Sequence, residues 1–166
     1  MSEPSQSDFK KIGTFIFDVD GVLTDGTLLA FANGEQARAF NIKDGYAIRH
    51  AIRQGYRVAV ISGKEEAGVR IRLESLDIKE IYLGVEDKLT VFDNYVYYHD
   101  IDPATIAYMG DDVPDLEVML RCGMAACPAD AAIDILDISH YVATAEGGKG
   151  AVRELIETIL KAQHRW

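Results

Sequence analysis

The chain has 166 residues, 48% apolar and 27% charged, with a formal net charge of −10 and a pI near 4.8. That composition fits one soluble globular domain with a full core, and its acidity argues against nucleic acid or an anionic membrane surface as the main partner. No apolar run approaches the ~18 residues of a membrane span, Met1–Ser7 lacks a signal-peptide core, and Cys122 and Cys127 fit no zinc or redox spacing, which points to a reducing cytoplasm with buried thiols.

In chain order, residues 1–11 read as a frayed N-terminal arm. Ile12 to Asp18 reads as a strand: β-branched and aromatic, then two acids one residue apart and Gly21. Residues 26–41 carry Asn33-Gly34 between two potential strands, a hairpin signal. Two strands alone are marginal, so the hairpin is expected to find a partner, such as another subunit. Asp44 can cap a helix running to about Gln54, stopped by Gly55. Tyr56–Ile61 is a strand ending in Ser62-Gly63. A helix follows over about Glu65–Leu76, then a short strand, Ile81–Leu83, and a helix from Lys88 to Tyr98. Ile106–Met109 is a strand ending in Gly110-Asp111-Asp112, and Pro114 fits the first turn of a helix to Arg121. Met124–Cys127 is a strand, Ala131–Leu136 a helix, Tyr141–Ala143 a last strand. Gly147-Gly148-Lys149-Gly150 opens a closing helix to about Gln163.

Strand and helix alternate throughout, which means an α/β, Rossmann-like parallel sheet with helices on both faces, plus the hairpin insertion after the first strand. Residues 1–166 read as one domain with no cap domain. In a parallel sheet the carboxyl ends of the strands share one edge, where ligands bind. Asp18 and Asp20, Ser62, Lys88, and Asp111 with Asp112 and Asp115 all fall at or just after such ends.

This inventory suits phosphoryl transfer. A hard cation such as Mg²⁺ takes oxygen ligands; Asp18, Asp111 and the Asp20 carbonyl can supply them, with Asp112 and Asp115 orienting the ligands or Lys88. Ser62 and Lys88 can hold phosphoryl oxygens. Asp18 can attack phosphorus, and Asp20 can protonate the leaving oxygen and then activate water. Each residue alone has a plain alternative: a turn, a solvated charge, a helix cap. It is their joint occurrence at successive strand ends that favours the chemistry.

These residues resemble the haloacid dehalogenase superfamily of phosphatases. Asp18-Val19-Asp20-Gly21-Val22-Leu23-Thr24 is similar to its first motif, Ser62 to its second, Lys88 to its third and Gly110-Asp111-Asp112-Val113-Pro114-Asp115 to its fourth. Thr24-Asp25-Gly26 with the hairpin, Asp44-Gly45, Gly147-Gly148-Lys149-Gly150-Ala151-Val152-Arg153-Glu154 and the tail to Trp166 resemble the capless branch, specifically the 3-deoxy-D-manno-octulosonate 8-phosphate phosphatases of lipopolysaccharide precursor synthesis. The resemblance implies a Mg²⁺-dependent aspartyl-phosphate mechanism and a homotetramer assembled through the hairpins, with a neighbouring subunit roofing the pocket. It also implies substrate contacts at Asp20, Asn41, Ile42, Lys43, Asp44, Gly45, Arg49, Lys64, Arg72 and Lys88. One position departs: Lys64 stands where that family's pattern has Arg, a point charge without the bidentate fork.

The alternatives are a related nonulosonate 9-phosphate phosphatase acting on KDN or acylneuraminate, a non-catalytic scaffold module, and a phosphoacceptor receiver domain. The complete acid set with Lys88 speaks against the scaffold, and the Asp-x-Asp loop with its hairpin against the receiver. Tyr95, Tyr97 and Tyr98 are expected to pack a helix face. The four histidines are expected at the surface or in loops, and Trp166 to be an exposed end unless it docks.

Overall fold

The computed structural model describes residues 5–166. In order these form α1 (Gln6–Lys11), β1 (Thr14–Phe17), β2 (Leu29–Ala30), β3 (Gln36–Ala37), α2 (Ile42–Arg53), β4 (Arg57–Ile61), α3 (Ala67–Glu74), β5 (Glu80–Tyr82), α4 (Lys88–His99), β6 (Ile106–Met109), α5 (Leu116–Met119), β7 (Met124–Cys127), α6 (Ile133–Ile138), β8 (Tyr141–Val142) and α7 (Ala151–Ala162). Six strands make one sheet in the order β5-β4-β1-β6-β7-β8. Every pairing in it is parallel.

Strand alternation sorts the core into two layers, because successive side chains point to opposite faces. Phe15, Phe17, Val58, Val60, Ala107 and Met109 share one face, packed with α2, α3 and α7 through residues such as Ile48, Leu73, Leu155 and Ile159. Ile16, Ala59, Ile61, Ile106 and Tyr108 share the other, packed with α4, α5 and α6 through Phe92, Val118 and Ile135. Apolar side chains on both faces explain why these strands read as near-continuous hydrophobic runs. α7 contributes the broadest stripe: Ala151, Val152, Leu155, Ile156, Ile159 and Leu160 are all buried. Each large member is worth roughly 1.5–3 kcal/mol on burial.

Several local expectations need correction. The described part of the N-terminal arm is a helix, α1: Ser5 N and Oγ both donate to Asp8 Oδ2 (3.0 and 2.6 Å). Gln163 Nε2 ties it down by donating to Phe9 O and Ile12 O, both at 2.8 Å. Residues 1–4 of the expected arm lie outside the described residues. α2 is capped by Asn41, whose side chain accepts from Lys43 N at 2.8 Å. Asp44 is inside the helix, and its Oδ1 accepts from Arg153 N, in the first turn of α7, at 2.8 Å. The stretch around Pro114 starts as a 3-10 turn, Val113–Asp115, before the short α5. Of the three tyrosines on α4 only Tyr95 is buried; Tyr97 and Tyr98 are exposed.

The hairpin forms where Asn33-Gly34 predicts it. Phe31 N donates to Glu35 O, Asn33 Oδ1 accepts from Glu35 N, and Gly34 takes φ +87°. Its strands are only two residues each, paired Leu29 with Ala37 and Ala30 with Gln36, and they do not join the main sheet. Leu28, Leu29 and Phe31 stand 43%, 57% and 53% exposed. Trp166 folds back on its own chain, its ring 5.1 Å from His50 and 6.3 Å from Tyr46, with the Arg153 guanidinium 5.3 Å over it. His50 and His140 are half-buried, and His140 Nδ1 accepts from Ala125 N.

Candidate active site

β1 is the point at which the sheet order reverses direction: β4 flanks it on one side and β6 on the other. Chain connections leave in opposite directions there, opening a crevice at the carboxyl ends. Asp18 follows β1, Ser62 follows β4 and Asp111 lies two residues after β6. Parallel pairing of Phe17 with Val60 and with Met109 brings these ends level.

The loop after β1 is wound around a single carbonyl. Val22, Leu23 and Thr24 all donate their N–H to Val19 O, at 3.2, 2.9 and 3.1 Å. Gly21 takes φ +82°, and a Cβ there would come within 1.9 Å of Asp111 Oδ2. Only glycine allows both the left-handed backbone and the approach of that carboxylate. Gly147 and Gly148 press on the same loop from outside: a Cβ at Gly147 would reach 1.9 Å from Gly21 O, and Gly148 N donates to Val22 O at 3.0 Å.

Lys88 is the first residue of α4, whose N-cap Asp87 accepts from Thr90 N at 3.0 Å. Its side chain is buried, and its Nζ lies 2.8 Å from both Asp18 Oδ2 and Asp115 Oδ1. Asp115 is fully buried with both oxygens engaged. Oδ1 also accepts from the Tyr108 hydroxyl at 2.6 Å, and Oδ2 accepts from Asp111 N at 3.2 Å. Asp18 Oδ1 accepts from Val19 N at 2.6 Å. Carboxylate oxygens of Asp18, Asp111 and Asp115 lie within 4.8 Å of one another. Asp112 is exposed, and its Oδ1 accepts from Val113 N; of the two acids expected to orient Lys88, only Asp115 is bonded to it.

Three carboxylates face one ammonium here, and the proton affinities of Asp18 and Asp111 record the excess. Burial, then the Asp115 charge, pushes Asp18 up to about 6 against the pull of Lys88. Burial, then Asp18 and Asp115, pushes Asp111 up to about 7. Lys88 is driven down by burial, but the charges of Asp18 and Asp115 outweigh this and hold it above its usual value. A second positive charge is what such a cluster lacks. Its donors are all oxygen, and the carboxylates of Asp18, Asp111 and Asp115 lie close enough together to fit a small hard cation.

The remaining expected contacts divide in space. Ile42, Gly45, Arg49 and Arg72 line a groove of about 270 Å³ between α2 and α3, together with Tyr46, Arg53 and Leu76. A Cβ on Gly45 would stand 2.7 Å from Arg72 Nη2, so that glycine is what lets the guanidinium lie against α2. Arg49 pairs with Asp77 at 3.3 Å. Asn41 Nδ2 donates to Gly148 O at 3.2 Å. Asp44 is turned inward and is 1% exposed, whereas Lys43 and Lys64 are exposed. Arg72 also lines a second cavity, of about 320 Å³, with Arg38, Phe40, Glu66 and Val69.

Two sets of site residues escape the sequence reading. Tyr108 could have been found: a tyrosine in a strand buried on both faces needs a hydroxyl partner, and the acids three to seven residues on are the nearest supply. Arg38 and Glu66, which meet beside Asp20, follow no motif or spacing.

No family model matches the chain. It is 40% identical over 154 residues to the 3-deoxy-D-manno-octulosonate 8-phosphate phosphatase KdsC of Escherichia coli (strain K12), covering 93% of this chain and 82% of that protein. The crystal structure of 3-deoxy-D-manno-octulosonate 8-phosphate phosphatase from Yersinia pestis superposes with a TM-score of 0.94 at 38% identity, over 96% of this chain and 86% of that one. The enzyme of the same name from Moraxella catarrhalis, solved with magnesium, phosphate and KDO, superposes with a TM-score of 0.93 at 35% identity, over 96% and 91%.

Proposed function

The chain belongs to the haloacid dehalogenase superfamily and, within it, to the 3-deoxy-D-manno-octulosonate 8-phosphate phosphatases, and from that premise we propose that it is a Mg²⁺-dependent phosphoric monoester hydrolase that converts this sugar-acid phosphate to the free sugar acid and phosphate. The observation that carries the reading is Lys88 Nζ at 2.8 Å from both Asp18 and Asp115, inside a cluster of three strand-end carboxylates.

Asp18 is the nucleophile. Its carboxylate oxygen forms a bond to phosphorus as the ester P–O bond breaks, and the departing alkoxide takes the proton of Asp20. Asp20, now ionised, takes a proton from water; the water oxygen bonds to phosphorus, the aspartyl P–O bond breaks, and phosphate and the Asp18 carboxylate are released. Lys88 and Ser62 hold phosphoryl oxygens, and Asp115 with Tyr108 keeps the Lys88 ammonium aimed at Asp18. Asp18, Asp111 and the Asp20 carbonyl would hold Mg²⁺, which when bound offsets the phosphoryl charge. Asp112 sits just outside, its charge felt at Asp111.

Asn41, Ile42, Lys43, Gly45, Arg49, Lys64 and Arg72 are the proposed sugar contacts, with Asp44, turned inward, holding α2 against α7 beside them. The groove holding Arg49 and Arg72 would serve the pocket of a neighbouring copy in a tetramer joined through residues 26–41, and the exposed Leu28, Leu29 and Phe31 support that assembly. The chain works as one catalytic domain, in the cytoplasm, where Cys122 and Cys127 stay free and buried.

The test is release of phosphate from 3-deoxy-D-manno-octulosonate 8-phosphate and from a nonulosonate 9-phosphate, with and without Mg²⁺, beside Asp18→Asn. Metal-dependent release favouring the octulosonate, abolished in the variant, supports the reading. Release that survives Asp18→Asn overturns it.

A further inference from the structure

Arg38 lies just after β3, at the base of the hairpin, and its side chain is almost wholly enclosed, at 5% exposure. Its Nε donates to Asp20 Oδ1 at 2.6 Å and its Nη2 to Asp20 Oδ2 at 3.2 Å. Its Nη1 donates to Glu66 Oε2. Glu66 immediately precedes α3, on the segment that follows Ser62. One planar guanidinium therefore joins the hairpin, the loop after β1 and the loop after β4.

The contact is not needed to shape the loop that carries Asp20, because the hydrogen bonds to Val19 O already do that. What it fixes is a side chain. Asp20 is 37% exposed and would otherwise populate several rotamers. A bidentate arginine allows one orientation, with both oxygens in the guanidinium plane. Glu66 gives the same arginine a second anion, so Asp20 can turn toward a leaving oxygen without stranding a buried, unpaired charge.

We infer that Arg38 is a positioning residue for Asp20, holding its ionised carboxylate at the pocket mouth between proton transfers, and that Glu66 retains Arg38 when Asp20 takes up a proton and turns to the leaving oxygen. The inference rests on the reading of Asp20 as the group that protonates the leaving oxygen. It makes a specific demand on the first step, departure of the leaving group: where that group needs a proton the step depends on Arg38, and where it leaves as a stable anion it does not, while the water-attack step that Asp20 also serves is common to both.

Release of the leaving group in a single turnover of the full chain with Mg²⁺ is therefore measured on two phosphate monoesters, 3-deoxy-D-manno-octulosonate 8-phosphate, with an alkoxide leaving group, and p-nitrophenyl phosphate, with a stable phenolate. Arg38→Ala is expected to lower the single-turnover rate on the sugar phosphate about 10–100-fold, while that on the aryl phosphate changes less than about threefold. Arg38→Lys restores part of the loss, and Glu66→Gln lowers the single-turnover rate on the sugar phosphate alone, by a smaller factor. Equal losses on both substrates, or no loss on the sugar phosphate, overturn the inference. Where Arg38→Ala does not fold, the same comparison on Arg38→Lys and Glu66→Gln decides. Asp20→Asn run in parallel separates the two levels: if it too shows no leaving-group selectivity, the reading of Asp20 fails; if it is selective and the Arg38 and Glu66 variants are not, only the role of Arg38 fails.

Discussion

Two edges of one pocket are built by different rules. At the strand-end edge, Asp18, Lys88, Asp111, Asp115 and Tyr108 bond to one another at 2.6–3.2 Å and to loops pinned by sheet register. At the hairpin edge, two-residue strands leave Leu28, Leu29 and Phe31 exposed, and the hairpin's link to the acids runs through Arg38. The first edge is complete within a single chain. The second has apolar surface to cover and arginines gathered in a groove apart from the acids. Reaction chemistry is thus encoded locally, whereas the proposed enclosure of substrate depends on a partner at the hairpin.

The strongest way to break this contrast is to remove a member of the first edge. Lys88→Ala leaves Asp18 and Asp115 buried and facing each other without a cation, which should cost roughly 3–5 kcal/mol in stability, read as a lowered Tm and denaturant midpoint. It should also lower kcat by about 10²–10³-fold through loss of phosphoryl stabilisation. Asp18→Asn should lower kcat at least as much, with Tm unchanged or raised, because it deletes a crowded negative charge. A Lys88→Ala protein as stable as the parent would mean that this edge does not hold together as described.

The second edge should respond differently. Phe31→Asp with Leu29→Asp places charge on the exposed hairpin face and should shift light-scattering mass toward the monomer without unfolding the sheet, since neither residue joins either core layer. kcat/KM for the sugar phosphate should fall about tenfold or more, because an open pocket positions substrate poorly. A fully active monomer would remove the distinction between the edges.

How legible each edge is in the sequence follows from the same contrast. The sheet, the parallel direction of its strands and the acids at their ends could be read because buried strands are short apolar runs and a polar residue ending such a run stands out. Asp18, Ser62, Lys88 and Asp111 sit at the ends of elements, where punctuation is visible. Asp44 misled because a lone Asp before an apolar stretch looks like a cap, while Asn41, three residues earlier, fills that role. Arg38 was invisible because its partners lie 18 and 28 residues away and no periodicity links them. Helix α1 was missed because its anchor, Gln163, is 154 residues distant from Phe9. Local patterns report backbone state; they say little about long-range side-chain pairing.

Asp44 ties the back of the hairpin edge to the body of the protein, and its protonation offers a measure of that tie. Burial pushes it up to about 6, with the Arg153 N–H pulling the other way, and among the described residues its Oδ2 has no hydrogen-bond partner. A carboxyl whose folded pKa lies above its ordinary 3.8 keeps its proton longer in the native state than in the unfolded chain. The stability it contributes is therefore greatest below pH 4, falls as pH rises from about 4 to 6, and is flat above. The span is on the order of 2–3 kcal/mol. Asp44→Asn removes that slope, so Tm of the variant minus Tm of the parent should increase by several degrees between pH 4.5 and 7.5. A difference independent of pH would show that Asp44 stays ionised.

The smallest expected effect tests how open the hairpin edge is at Lys64. The ammonium is exposed and follows Ser62-Gly63 directly, so its freedom to reach a sugar carboxylate is limited by geometry and not by burial. An ammonium grips a carboxylate as a point charge, whereas a guanidinium grips it through two parallel N–H bonds. Lys64→Arg should therefore lower KM for the octulosonate phosphate about three- to fivefold, with kcat within about twofold, because the added bond is made equally to substrate and transition state. A phosphate monoester of similar size without the carboxylate should show no change in KM. If KM falls for both, position 64 answers the phosphate, and the strand-end edge extends one loop further than its buried acids suggest.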